Sequence, residues 1–211
     1  MRFLFVVLIA FMMTGCAFNN LKVNPVPADV STKLTGGEKR GIIVQIPFSD
    51  ARQINKRCGM QKNGYNMDTA DAICTADPAQ KLSELLAQEL RSAGFVVMSS
   101  DDTSKPSIVK IQGSLVKFFV EPVIGFTTIT LETDIQLKLT ATSNSGLLAE
   151  RDFFVKGIES AMVSREANFQ LATDDAVKKI IKDMVTAILS LMNRHPSLGS
   201  NNQDFIMTSK L

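Results

Sequence analysis

The chain has 211 residues, 45% of them apolar and 21% charged, with a formal net charge of +2 and three cysteines. That size fits one domain, or a small domain with a tail, and the apolar share excludes a wholly disordered chain. The near-neutral balance gives no bulk attraction to nucleic acid. The odd cysteine number excludes a scaffold in which every thiol is paired within the chain.

Met1 and Arg2 make a short positive start, Phe3 to Met13 is an unbroken apolar run, and Thr14, Gly15 and Cys16 follow. This is the layout of a secretory signal. Eleven residues at about 1.5 Å rise cover only ~16 Å, too little to span a ~30 Å hydrocarbon core. Residues 1–15 are therefore read as a signal peptide rather than a transmembrane anchor.

The stretch Met13-Thr14-Gly15-Cys16 resembles the lipobox of bacterial lipoproteins, with Met13 where leucine is usual. The resemblance implies that Cys16 receives a diacylglycerol, that cleavage falls just before it, and that the new amine is acylated, with palmitate as a typical chain. Several acyl chains anchor firmly where one binds marginally. Losing residues 1–15 takes Arg2 from the 23 basic residues and none of the 21 acidic ones, leaving a formal +1.

With Cys16 assigned to lipid, Cys58 and Cys74 remain. In an oxidising compartment they either pair, closing a loop of about sixteen residues worth about 3 kcal/mol, or stay as two buried thiols. Together with the lone, distant His195 they do not complete a zinc site, and no metal is expected.

Residues 16–40 hold the lipidated cysteine and a polar, broken stretch with Asn19, Asn20, Pro25, Pro27, Gly36 and Gly37. They read as a flexible tether reaching roughly 27 Å. A globular domain is expected over residues 41–195. Ile42, Ile43, Val44 and Ile46 predict a short strand stopped by Pro47. Residues 49–76 read as a long polar loop carrying both cysteines and an Asn63-Gly64 turn.

Asp77-Pro78-Ala79-Gln80 is a helix start, and Ala79, Leu82, Leu85, Leu86, Leu90 and Ala93 share one face. Gly94 is the expected stop. Phe95 to Met98 predicts a strand, followed by a turn around Asp101 to Pro106. Ile108 to Val120 reads as extended, with a bulge at Gly113 and a break at Pro122 and Gly125. Residues 128–142 alternate strictly between Ile129, Leu131, Ile135, Leu137, Leu139 and Ala141 on one side and Thr130, Glu132, Asp134, Gln136, Lys138 and Thr140 on the other. This predicts a strand with one buried and one wet face. Ser143 to Gly146 is a hairpin turn into a partner strand over 147–159.

Thr173 to Arg194 carries one continuous apolar stripe including Val177, Ile180, Ile181, Met184 and Ile188, and predicts the last helix. Asp174 and Asp175 at its start and Arg194 and His195 at its end suit the helix dipole. Lys178, Lys179, Lys182 and Asp183 exclude a membrane span. Residues 196–211 read as a loose tail. The order β-α-β-β-β-β-α predicts an α+β fold, a two-layer sandwich with two helices on one face of a mostly antiparallel sheet.

No catalytic constellation emerges. A single histidine argues against a histidine-based triad, and no phosphate or dinucleotide loop occurs. Ser107-Ile108-Val109-Lys110 and Ser114-Leu115-Val116-Lys117 match the S-x-x-K spacing, but on a strand these side chains point to opposite faces. No enzyme activity and no cofactor are expected. Without tryptophan and with one tyrosine, there is no base-stacking platform and no nucleic-acid partner is expected. The apolar run Lys117 to Phe126 is the most suggestive stretch. Phe118, Phe119 and Phe126 either fill the core or form a contact patch, and Tyr65 beside Asn63-Gly64 is a second contact candidate.

Three stretches resemble the YajG-type lipoproteins: Gly59 to Ala70, Phe118 to Pro122, and Glu150 to Gly157. The resemblance implies a Gram-negative envelope lipoprotein in the outer membrane, facing the periplasm. Ala17 stands where an aspartate would retain such a protein in the inner membrane. No activity comes with the family. The expectation is a lipid-anchored, non-enzymatic protein that binds an envelope protein partner in assembly or transport. The alternative is a carrier of a small apolar ligand or lipid between helices and sheet.

Overall fold

A computed structural model describes residues 19–98 and 108–199. The signal, Cys16, the Asp101 to Pro106 turn and the tail beyond Gly199 lie outside the described residues. Among the described residues the fold is mixed α+β: nine strands in one open sheet and two helices. The strands are β1 (Leu21–Val23), β2 (Gly41–Val44), β3 (Ser49–Asp50), β4 (Gly59–Lys62), β5 (Asp68–Cys74), β6 (Val96–Met98), β7 (Val109–Ile124), β8 (Ile129–Ser143) and β9 (Gly146–Ala161). The helices are α1 (Pro78–Ser92) and α2 (Glu166–Arg194).

The long antiparallel meander β7–β8–β9 is the frame: β8 pairs on both edges over its whole length, and its alternation sets one face toward the core. The other edge of β7 pairs in turn with β2, β3 and β4, all parallel. β6 extends the β2 branch, while β5 and β1 extend the β4 branch. The sheet thus forks below a continuous three-stranded half.

One face of the sheet is covered. Ile111, Leu115, Phe118, Ile135 and Leu137 share a single apolar cluster with Leu82, Leu86 and Leu90 of α1 and Ile180, Ile181 and Met184 of α2. Burying each such side chain is worth about 1.5–3 kcal/mol. α2 lies on β9 at backbone contact: a Cβ on Gly157 would stand 2.0 Å from the Ala172 carbonyl oxygen. Gly113 serves the same purpose for the Phe48 ring, whose nearest carbon would be 2.5 Å from an added Cβ. It is a seat rather than the expected bulge, which falls between Leu115 and Lys117.

Helix α1 starts as its sequence dictates. Asp77 accepts hydrogen bonds from the Ala79 and Gln80 backbone N–H groups, and Gly94 ends the helix with φ +96°. Helix α2 begins at Glu166, two turns earlier than the acidic pair suggested. Phe169 and Ala172 extend the apolar stripe N-terminally, and Asp175 instead accepts from the Ile158 N–H at the sheet edge.

Four further corrections concern segments with polar or broken composition. Residues 49–76, expected as a loop, contain β3, β4 and β5. The expected tether contains β1, and from Asn24 to Arg40 it forms a strap against the domain. Val26, Val30 and Leu34 pack on the core, Thr32 N–H donates to the buried Glu89, and Arg40 donates to Gly36, Gly37 and Asn193. The domain accordingly begins at Leu21 rather than residue 41. β7 runs through Pro122: Val120 N–H donates to Cys58, so the nitrogen of Pro122 faces the same way, past the paired end of β4. Finally, residues 196–199 of the expected tail are pinned, with Gly41 N–H donating to the Gly199 carbonyl and Leu198 packed on the core.

Candidate functional site

The uncovered face of the sheet carries a concave surface beside β7. β7 presents Ser114, Lys117, Phe119 and Glu121 there, and β8 presents Glu132, Asp134, Gln136 and Lys138. The chain between β3 and β4 rises beside this face and makes a cleft of about 490 Å³. Ile54, Met60, Val116 and Phe119 supply its apolar surface, and Lys117, Glu121 and Gln136 its rim. Across Gln136, the exposed Phe154 of β9 continues the apolar strip.

Arg52 holds the wall of this cleft. Its side chain is nearly buried and meets Asp50 through Nε–Oδ1 at 2.9 Å and Nη2–Oδ2 at 2.8 Å. The same guanidinium reaches the Asn55 carbonyl and Cys58 Sγ, each at 3.5 Å. The hydrogen bonds from Arg52 hold the Asp50 carboxyl below its ordinary value. Cys58 and Cys74 form a disulfide that closes the base of the β4–β5 hairpin, immediately before α1. The paired alternative for the two thiols therefore holds.

Several charges on this face are paired with one another, although the buried Asp134 Oδ1 accepts no hydrogen bond. Lys117 Nζ lies 2.7 Å from Asp134 Oδ2, Lys62 Nζ lies 2.6 Å from Glu121 Oε2, and Lys156 pairs with Glu132 and lies 3.7 Å from Asp134. Arg57 sits 5.8 Å from the centre of the Phe119 ring and pairs with Asp71. The Glu132 carboxylate raises the Lys156 ammonium above its ordinary value, so it stays charged across the physiological range. A face of partnered charges around apolar side chains can dock a surface of matching shape and charge.

Of the four aromatic contact candidates, Phe118 is a correction. It is 1% exposed and fills the core, because the bulge turns it onto the covered face. Phe119 lines the cleft. Tyr65 and Phe126 are fully exposed but lie on the turns at the end of the sheet, away from the cleft lining. The bulge also puts Ser114 and Lys117 on one face, against expectation, where Asp134 takes the lysine. Sequence reading missed Arg52, Ile54, Met60 and Val116. Apolar residues on the wet parity of β7 were the available signal for this surface, and Phe119 and Val123 carry it.

The space between helices and sheet, where a carrier would hold its ligand, is filled by Phe118, Leu82, Leu86 and Ile180, each below 2% exposed. A hollow of about 150 Å³ at the end of α2, beside Ala149 and Phe153, is below the ~300 Å³ at which ligand pockets begin. Among the described residues, no helix is long and apolar enough to cross a membrane, and no group of three or more His, Cys, Asp or Glu side chains is placed to hold a metal.

Residues 33–189, well over half the chain, match the family model Lipoprotein_16, described as uncharacterized lipoprotein. The chain belongs to this lipoprotein family. It is similar in fold to protein XCC0632 from Xanthomonas campestris, of family DUF330, with a TM-score of 0.58 at 13% identity over 82% of this chain and 97% of that one. Weaker likenesses are to the hypothetical protein CT253 from Chlamydia trachomatis (TM-score 0.44, 7% identity, 72% and 97% covered) and to lipoprotein GNA1162 from Neisseria meningitidis (TM-score 0.30, 11% identity, 74% and 99% covered). No curated protein matches. The family supports the lipoprotein class of the sequence resemblance and does not name the YajG type.

Proposed function

We propose that this lipoprotein is a YajG-type, two-layer accessory domain that is triacylated on Cys16 and held at the periplasmic face of the outer membrane. There it binds an envelope protein partner, in assembly or transport, without catalysing a reaction. The cleft beside Phe119 is the observation that supports this reading best. Its apolar side chains sit beside the Lys117–Asp134 and Lys62–Glu121 ion pairs, so covering them with a partner desolvates charges that already have counter-charges.

The test is a photocrosslinking residue at Ile54 or at Val116 in the full-length protein within its own envelope, with Leu147 on the β8–β9 hairpin as the reference position. The expected result is one discrete adduct from 54 and 116 that is absent from 147. Equal or absent adducts at all three positions would overturn the cleft as the partner site.

A further inference from the structure

We propose that the end of the sheet where the chain enters the domain is a membrane-contacting surface, and that Tyr65, Met67, Phe126, Met162 and Val163 rest in the leaflet that holds the acyl chains of Cys16. This rests on the lipidation of Cys16 proposed above.

The direction of the strands gathers these residues. β4 runs parallel to β7, and both end in turns at the same end of the sheet, residues 63–67 and 125–128. Lys62 and Glu121, just before those turns, are joined by an ion pair. β8 starts and β9 finishes at this end too, with Ile129 opposite Ala161, so Met162 and Val163 follow directly. The exposures are far above those of packed side chains: Phe126 105%, Tyr65 86%, Met162 84%, Met67 57% and Val163 51%. Neither turn is loosely built. Asn63 Oδ1 accepts from both Tyr65 N–H and Met67 N–H, and Gly125 N–H donates to the Thr128 carbonyl.

The anchor enters at the same place. β1 is parallel to β5, so its N-terminal side faces the β4–β5 turn. The Asn19 carbonyl accepts from Gln61 Nε2 at 2.7 Å, and Asn20 Oδ1 accepts from Asp71 N–H at 3.1 Å. Three residue steps separate Asn19 from Cys16, and a fully extended chain covers at most ~11 Å in three steps. The ~27 Å reach expected of a free tether is therefore replaced by one of at most ~11 Å. A domain held that close must present some surface to the bilayer, and this end is nearest.

The chemistry suits that position. Tyrosine favours the membrane–water interface, phenylalanine inserts as an apolar side chain at the acyl boundary, and a second apolar contact adds to acyl anchoring. Lys62 is already paired with Glu121, and Asp68 and Glu166 leave no positive excess beside Arg165, so the contact is apolar rather than an attraction to anionic lipid and should not weaken with salt. At the other end of the long strands, the turn is Ser143-Asn144-Ser145-Gly146.

The test uses the mature lipidated protein in vesicles of phosphatidylethanolamine and phosphatidylglycerol. Phe126→Cys, Tyr65→Cys and, as the far-end reference, Asn144→Cys are each given an environment-sensitive fluorophore, and lipids with a nitroxide on the acyl chain serve as quenchers. The expected result is several-fold stronger quenching at 126 and 65 than at 144, unchanged by high salt. Equal quenching at all three positions, with Cys16 shown by mass to be acylated, would overturn the inference and leave the anchor standing. An unmodified Cys16 would overturn both. Labels silent on vesicles but shielded in native envelopes would give this end to a protein partner and overturn the membrane assignment.

Discussion

The two faces of the long meander are made from the same strands by opposite means. On the covered face, Leu115, Phe118, Ile135 and Leu137 lose all contact with water against the helices. On the open face, Lys117, Glu132, Asp134 and Lys156 stay partly exposed and pair with one another, with Phe119 and Phe154 among them. Hydrophobic burial on the first face holds the fold. Exposed ion pairs on the second contribute little to stability, which leaves that face free to serve binding.

The largest effect should come from placing the chemistry of the open face on the covered one. Ile181→Asp buries an unpaired carboxylate at a fully buried site and should cost more than about 4 kcal/mol, abolishing cooperative unfolding followed by near-ultraviolet circular dichroism. A stable variant would mean that the face of α2 is misassigned.

Next in size is the disulfide, which braces the hairpin beside the open face. Replacing Cys58 and Cys74 together by serine should cost about 2–4 kcal/mol in urea unfolding while leaving the helical signal intact. An unchanged midpoint would show that the hairpin needs no such brace.

A smaller effect should appear on acidification. The Asp50 carboxyl titrates below its unfolded value of 3.8 because Arg52 holds it ionised. Its contribution is therefore complete above that value and is lost as the pH falls through the lowered folded one. Wild-type stability should exceed that of Asp50→Asn by about 1–2 kcal/mol at neutral pH, and the gap should close near the acid limit. A gap that does not change with pH would contradict the pair.

The smallest expected effect on stability is Phe119→Ser, about 1 kcal/mol or less given its partial exposure, although it should remove adducts formed through the cleft. Large unfolding there would place Phe119 in the core and erase the distinction between the faces.

How much of this was legible in the sequence follows the same division. The alternation of Leu131, Ile135, Leu137 and Leu139 and the Asp77-Pro78 start of α1 are local signals, and the structure follows them. β1 is three residues long and pairs with β5, distant in sequence, while β4 and β5 form a hairpin whose Asn63-Gly64 turn was legible but whose short, polar strands carry no clear period. The strap was misread because Pro25, Pro27, Gly36 and Gly37 suggest flexibility, while Val26, Val30 and Leu34, four residues apart, do not alternate as a strand and stand among prolines that a helix would not hold. The cleft residues Arg52, Ile54 and Met60 escaped notice for the same reason. Only the pairing of β3 and β4 along β7 brings them to Phe119.

The proposed anchor determines where both faces sit, and its chemistry can be read directly. Mass analysis of the N-terminal peptide from the membrane-extracted protein, beside Cys16→Ser, should find a chain that begins at Cys16 carrying diacylglycerol and an amide-linked acyl group, and an unprocessed precursor for the variant. An unmodified Cys16 in a chain cleaved at another position would contradict the lipid anchor.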